Sequence, residues 1–543
     1  MLGLLASLLV AGAAYAGGED NQSAEAPPRP LPDATRYPSP AATVLHGVLT
    51  GDDNQTWHLV PFEVPAGTTR ITVDFDYTTR EAHTTIDLGI LGPDGFRGQD
   101  GLRGWSGGNK RSFTISATDA TPSYLPGAIR AGTWSLLLGV PNIRHDVRAE
   151  YTANIRFERN TGLGAAPAPT GPVLRPEPGW YRGDLHMHTA HSDGSCLSRR
   201  QQRVPCPLFL TAETASERGL DFIAITDHNT TSQADAIREL QPYFDDILLL
   251  PGLEITTFHG HANLFGSLAP LDFRVGSSAV PDFNALLAHL AGLGAVISVN
   301  HPIRPSGERC LGCGWTPPQP VDYARMQAVE VVNGLDADTP FSGVGFWEHL
   351  LDQGYHLTAI GGSDNHNALQ PAVDVAALRQ PHDSASPSPE TLAKLERGGG
   401  AIGTPTTVIY ADTLSQAGIV AGIRRGRVFV DVAGTRDRAL DVTAAAGKQV
   451  AHMGDTLVAS RGTSIQFEGT VSGVAGGELE VILDGHQVPL LKETRIDSAS
   501  TSFAFPWRAD GRRHWIRLDV RDDASHLALI GNPIYLSGAA AQN

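Results

Sequence analysis

At 543 residues, with 41% hydrophobic and 18% charged side chains, the chain is too long for one ordinary core and too apolar for a disordered protein. A formal charge of −17 and the absence of any basic block argue against nucleic acid or an anionic membrane surface as the main partner. Beyond the first sixteen residues no apolar run approaches the ~20 residues of a membrane span, so the mature chain is expected to be soluble.

Residues 1–16, MLGLLASLLVAGAAYA, form an apolar run ending in Ala-Tyr-Ala. That ending fits signal-peptide cleavage near Ala16 and a secreted or periplasmic protein; the basic n-region is missing, and a buried N-terminal helix is the alternative. Residues 17–41 read as a flexible Pro/Ala-rich leader. From 42 to 158, short alternating runs such as Arg-Ile-Thr-Val-Asp-Phe-Asp-Tyr and Thr-Trp-Ser-Leu-Leu-Leu-Gly-Val stand between Gly, Pro, Asp and Asn turns, which predicts an N-terminal β-sandwich. Its aromatics could contact glycan, although core and edge packing is the better default. Residues 159–178, rich in Gly, Ala and Pro, read as a linker.

From 179 to 437 the pattern alternates strand and helix. Strands are expected at 183–188, 221–227, 247–255, 261–266, 295–300, 328–333 and 356–362, with helices between several of them, for example 208–219 and 283–293. Seven strands alternating with helices predict an α/β barrel whose active site gathers at the strand C-terminal ends. Short strands return from 438 to 543, predicting a second, C-terminal β-sandwich. The four cysteines, Cys196, Cys206, Cys310 and Cys313, suit an exported protein and permit three pairings. Local pairing, Cys196 with Cys206 and Cys310 with Cys313, is the expected arrangement. The Cys-x-x-Cys spacing also admits a redox or metal-storage role, which lacks a second such motif or a thioredoxin-like setting.

Polar residues collect at the ends of the apolar runs. In Gly-Asp-Leu-His-Met-His-Thr, His186 and His188 stand two apart in an extended segment, so both imidazoles project from one face, which Asp184 shares. Asp193 follows in a Ser-Asp-Gly turn. Later runs deliver Asp227 and His228, then Glu254, then His259 and His261, then His301, and finally Asp364 and His366. Each alone is an ordinary turn or cap residue. Together they offer more imidazole and carboxylate than one ion requires, and such groups converging unpaired would be costly to bury. A multinuclear metal site is the better explanation.

On these residues the chain resembles the PHP (polymerase and histidinol phosphatase) metallohydrolases, and within them the CehA/McbA, carbaryl-hydrolase-like branch. The matching motifs are Gly-Asp-Leu-His-Met-His-Thr with Ser-Asp-Gly, Ala-Ile-Thr-Asp-His-Asn, Gly-Leu-Glu-Ile-Thr with Gly-His-Ala-Asn, Asn-His-Pro, Val-Glu-Val-Val-Asn-Gly and Gly-Gly-Ser-Asp-Asn-His. The resemblance covers about residues 179–540 and leaves out the N-terminal sandwich. It implies a distorted (β/α)7 barrel of PHP type, here flanked by the two β-sandwiches.

The resemblance further implies that His186, His188, Glu254 and Asp364 hold one ion. Glu254, as a bridge, holds a second with His261 and His301, and Asp193, His228 and His366 match a third position. Asp184 and Asp227 would orient imidazoles through their N–H groups, or make plain structural hydrogen bonds. His191 and His259 lie beside these groups, as substrate contacts or simple loop residues. The expected cofactors are two or three divalent ions, Zn, Mn or Fe, which make hydroxide available near neutral pH. Asp193, His228 or His366 would protonate the leaving group if the third ion is absent. Arg304 would anchor an anionic substrate oxygen, or be a solvated loop residue. The expected activity is hydrolysis of a phosphoester or of a carbamate or carboxylic ester. The alternative is a glycan-binding surface scaffold whose central domain is inert.

Overall fold

The computed structural model describes residues 41–96, 101–116, 120–158, 172–267, 271–291, 293–308, 310–371 and 399–538. The expected signal peptide with its cleavage site near Ala16, the leader up to residue 40, and linker residues 159–171 lie outside the described residues.

The first described strands build two four-stranded antiparallel sheets. One runs in the order Ala41–Thr50, Arg148–Glu158, Arg70–Tyr77, Ser112–Ser116. The other runs Thr56–Val64, Gly132–Asn142, Thr85–Leu91, Leu102–Trp105. Burial along Arg148–Glu158 alternates strictly: Ala149, Tyr151, Ala153, Ile155 and Phe157 point inward. They meet Phe62, Ile86, Leu88, Trp134 and Leu136 from the facing sheet in one core. The period-two alternation therefore sets which face is buried.

The central strands belong to a fifteen-stranded sheet. Gly179–Asp184, Phe222–Ile225 and Leu248–Thr257 pair in parallel, and Gly260–Phe265 then runs antiparallel to its neighbours. Val296–Val299, Ala328–Asn333 and Thr358–Gly362 complete the run in parallel. Phe222–Ile225 and Val296–Val299 are buried at every residue, which explains their unbroken apolar composition.

The expected (β/α)7 barrel with two separate flanking sandwiches is corrected by this topology. Strand accounts for 42% of the structure and helix for 13%, with five α-helices among the described residues. Two local features make the difference. Leu248–Thr257 and Gly260–Phe265 are joined by the two residues Phe258 and His259, so no helix fits between them. On its other side Gly179–Asp184 pairs with Thr406–Ala411, which pairs with Val428–Asp431, which pairs with Leu527–Gly531. The sheet thereby continues into strands expected to form an independent C-terminal domain. Only Gln449–His452, Ala439–Ala446, Ser464–Ser472 and Ser500–Arg508 form a sheet of their own there. From Ala41 onward the chain packs as one compact unit.

Two expected helices appear, slightly shortened. Leu208–Glu217 stops ahead of Gly219, which has a positive φ. Phe283–Leu290 starts at Asp282, whose carboxylate accepts from Ala285 N at 2.8 Å. No helix among the described residues is long and apolar enough to cross a membrane.

Candidate metal centre

The central strands share one edge, and the side chains marked in the sequence meet there. His186 and His188 lie just beyond the end of Gly179–Asp184 rather than within it. They flank Met187, which makes a parallel bridge to Asn365, so the segment is extended and the two rings share a side. Glu254 stands inside Leu248–Thr257, and His261 is the second residue of an antiparallel strand. These two are brought to the edge by the hairpin rather than by a strand C-terminus. His301 and Asp364 follow Val296–Val299 and Thr358–Gly362, both with positive φ (27° and 51°). Non-glycine residues held in that conformation store backbone strain, and they cluster at functional sites. Gly362 must lack a side chain, because a Cβ there would collide with the His186 side chain and come within 2.7 Å of Glu330 Oε1.

Glu254, fully buried, is the hub. Its Oε1 lies 3.3 Å from His186 Nε2, 3.1 Å from His261 Nδ1 and 3.4 Å from His301 Nε2. Its Oε2 lies 3.4 Å from His188 Nε2 and 2.9 Å from His228 Nδ1. Asp364 Oδ1 is 3.1 Å from His188 Nε2 and 3.5 Å from His186 Nε2. Asp193 Oδ1 sits 3.4 Å from His366 Nε2 and 3.6 Å from His228 Nε2. All nine candidate ligands thus converge. Eight of them fall into three overlapping groups able to hold an ion: His186, His188 and Asp364; His186, Glu254 and His301; and His188, Asp193, His228 and His366; His261 belongs to none of these and joins the cluster through Glu254 Oε1. The third group is the open one, with Asp193 and His366 side chains 41% and 37% exposed, while His186, His188 and Glu254 are sealed.

For Asp184 and Asp227 the structure shows the plain structural hydrogen bonds that were the alternative to orienting imidazoles. Asp184 touches no imidazole: it accepts from the backbone N–H groups of His186, Ser363 and Gly403 and ties the chain segments beneath the site. Asp227 likewise accepts from Thr189 N, Thr189 Oγ1 and Ser192 Oγ. Arg304 is not the solvated loop residue that was the alternative to a substrate anchor. Its guanidinium is buried and donates to Asn333 Oδ1 at 2.6 Å and Asp336 Oδ2 at 2.7 Å. His191 Nδ1 is within 2.8 Å of Ser232 Oγ, and the His259 backbone N–H donates to Thr257 Oγ1.

The imidazoles are oriented by groups that the sequence reading passed over. Glu330 Oε1 is 2.9 Å from His186 Nδ1, and its Oε2 accepts from His301 N and Asn333 Nδ2. Asn300 Nδ2 donates to Glu254 Oε1 at 3.0 Å. Glu330 was findable, as a lone acid in the otherwise apolar strand Ala328–Asn333. Lys110 was not. It comes from the N-terminal sheets, and its Nζ donates to Ala190 O, Ser192 O and Ser123 Oγ around the turn carrying Asp193. Asn109 Nδ2 adds a second bond to Ser192 O.

Electrostatics separate the ligands. Burial pushes Glu254 up, but His186, His228 and His261 together outweigh it and hold its carboxyl well below the usual range. Burial, reinforced by His366 and His228, lowers His188 to about 4, so its ring is neutral and ready to coordinate. Burial also opposes the charged forms of His228 and His366. Glu254 and Asp193 nevertheless raise His228 to about 9, and Asp193 raises His366 to about 10.

The donor set fits divalent ions. His186 Nε2, Glu254 Oε2 and Asp193 Oδ1 are buried without a hydrogen-bond partner, and their residues are spread over the three groups. Buried polar atoms of this kind need a partner, and a cation supplies one. Imidazole and carboxylate without thiolate suit Zn, Mn or Fe(II). Disulfides join Cys196 to Cys206 and Cys310 to Cys313. The chain matches no family model and no curated protein.

Proposed function

We propose that the chain is an exported metal-dependent hydrolase of the PHP-like kind, acting on a phosphoester or on a carbamate or carboxylic ester. The observation that carries this reading is the trio of buried atoms without a hydrogen bond, His186 Nε2, Glu254 Oε2 and Asp193 Oδ1, inside a cluster of ligand-type side chains. An inert scaffold has no use for so expensive an arrangement. The export reading is supported by the apolar N-terminal run and by two disulfides, which persist in oxidising compartments.

His186, His188, Glu254 and Asp364 would hold one ion, and Glu254, His261 and His301 a second. Asp193, His228 and His366 would hold a third. Bound divalent ions supply hydroxide near neutral pH and neutralise charge developing on a phosphoryl or carbonyl oxygen. The remaining work falls to the chain itself. Glu254 would serve both of the first two positions, and Glu330 and Asn300 hold His186 and Glu254 in register. The sealed side formed by His186, His188 and Glu254 excludes water, so substrate enters from the Asp193/His366 side. With no ion among them, His228 and His366 carry protons at neutral pH and are placed to protonate a leaving group.

The test is hydrolysis by metal-free protein reconstituted with Zn, Mn or Fe(II), beside His188→Asn. The substrates are a phosphomonoester, a phosphodiester, an aryl ester and an aryl N-methylcarbamate. Metal-dependent turnover lost in the variant is the expected result, and the substrate turned over names the class. No metal uptake and no turnover would return the chain to the glycan-binding reading.

A further inference from the structure

Two of the candidate ligands face the same short loop. His261 Nδ1 faces Glu254 Oε1, and its Nε2 is 3.2 Å from Leu311 O. His301 Nε2 faces the same Glu254 oxygen, and its Nδ1 is 3.2 Å from Cys313 O. Both rings therefore lie between one carboxylate and one short loop, the segment closed by the Cys310–Cys313 disulfide. In the tautomer that carries hydrogen on these nitrogens, each carbonyl accepts the ring N–H, and the other nitrogen's lone pair points to the Glu254 side.

The loop has a conformation that suits this task. Gly312 has φ +73°, and a Cβ there would run into the Thr257 carbonyl and approach Phe258 Cα to 3.0 Å, so the loop lies flat on the hairpin that carries His261. Cys310 O accepts from Gly307 N, and Trp315 N donates to Pro302 O, anchoring both ends of the segment. The other disulfide acts elsewhere. Cys206 N donates to Gly194 O and Cys206 O accepts from Ala190 N, bracing the Asp193 turn through the backbone.

We propose that the Cys310–Cys313 loop is the positioning element for the ion held by Glu254, His261 and His301, and that reducing its disulfide releases that ion selectively. The proposal rests on the metal-centre reading above. Reduction by a dithiol or a phosphine delivers two electrons and two protons, breaks the S–S bond and leaves two thiols; the donor becomes a disulfide or a phosphine oxide whose oxygen comes from water. The freed loop no longer holds both carbonyls against the imidazoles. Loss of such outer partners weakens metal affinity by roughly 10–100-fold.

The experiment counts zinc per chain, and measures each affinity by chelator competition, in oxidised wild type, Cys310→Ser/Cys313→Ser and Cys196→Ser/Cys206→Ser. Histidine ring 15N spectra of the metal-free forms report the tautomers of His261 and His301. The expected result is one zinc weakened by roughly 10–100-fold in the first variant alone, with tautomer mixing confined to those two rings. Should that variant fail to fold, the second variant is treated with a phosphine in its folded, zinc-loaded state. Release of one zinc at unchanged tryptophan fluorescence then supports the proposal, and retention of all zinc overturns it. Unchanged zinc count, affinity and tautomers in the folded first variant also overturn it. Wild type that takes up no zinc overturns the metal-centre reading itself, while the tautomer comparison still tests the loop.

Discussion

Glu330 Oε1 lies 2.9 Å from His186 Nδ1, while Oε2 of the same carboxylate accepts from His301 N at 2.9 Å. One buried side chain thus fixes a ring of one candidate ligand and the backbone of another. Glu330→Gln keeps the volume but can offer His186 only one acceptor oxygen, and turning it there aims an amide at His301 N. Metal affinity is expected to fall by roughly 10–100-fold. Glu330→Ala, which leaves these donors unpartnered in the core, should also destabilise the fold by about 1–3 kcal/mol per unsatisfied group. Zinc titration and urea denaturation of the two variants separate the effects: affinity loss without stability loss in Glu330→Gln identifies an orienting role.

The protonation of the site gives the metal-free protein a distinct pH profile. His228 and His366 are raised to about 9 and about 10 against an ordinary value of 6.5, so their contribution is fully present below pH 6.5. It is lost as pH rises through 9 to 10. His188, lowered to about 4, acts in the opposite sense: the unfolded chain binds its proton first, and stability falls as pH drops from 6.5 towards 4. Glu254 and Asp364, held low, steepen that acid limb. Thermal melts of metal-free protein should therefore peak near pH 6.5 and decline progressively towards pH 9 to 10. Zinc binding at pH 7 should release about two protons from His228 and His366, read by calorimetry in buffers of different ionisation enthalpy. A flat melt profile and no proton release would contradict both assignments.

Much of this candidate site was legible in the sequence because ligand-type side chains recur there at particular spacings. The His186/His188 pair, Glu254, His301 and the Asp364–His366 run all declare themselves that way. What orients them was not legible. Leu311 and Cys313 act through backbone carbonyls, which carry no residue signature, and Lys110 arrives from a sheet more than seventy residues upstream. The fold was misread for a related reason. Apolar runs separated by polar stretches announce strands, but they do not say whether the intervening chain forms a helix, as at Leu208–Glu217, or a two-residue turn, as at Phe258 and His259. Nor do they show that Val428–Asp431 pairs with Leu527–Gly531 and carries one sheet across an expected domain boundary.

Lys110 ties the N-terminal sheets to the Asp193 turn. Its ammonium donates to Ala190 O, Ser192 O and Ser123 Oγ, and burial lowers its pKa although Asp227 and Asp193 oppose that shift. Lys110→Met keeps the stem and removes the three donors, leaving the turn held by Asn109 and Ser192. The ion of Asp193, His228 and His366 should weaken by at least about tenfold, within the range for lost outer partners, while the Glu254 positions keep theirs. Zinc counts across a chelator series check this. Equal loss at every position would mean that Lys110 acts on global stability instead.

Arg304 gives the sharpest test of what was corrected. Its guanidinium is buried and paired with Asp336 Oδ2 at 2.7 Å. Arg304→Met would leave Asp336 buried without its cation, a change that typically destabilises by about 3–5 kcal/mol. Burial already raises Asp336 to about 7, with Arg304 and then His301 pulling it down. Removing Arg304 pushes it higher, so the variant's carboxyl is neutral at pH 5.5 and must ionise, or strain to stay protonated, at pH 8. A raised carboxyl contributes stability below its unfolded value and loses it as pH rises through the folded one. The deficit of Arg304→Met should therefore be larger at pH 8 than at pH 5.5 in urea denaturation. KM of the folded variant should stay at the wild-type value. A KM raised many-fold with unchanged stability would restore Arg304 to the substrate.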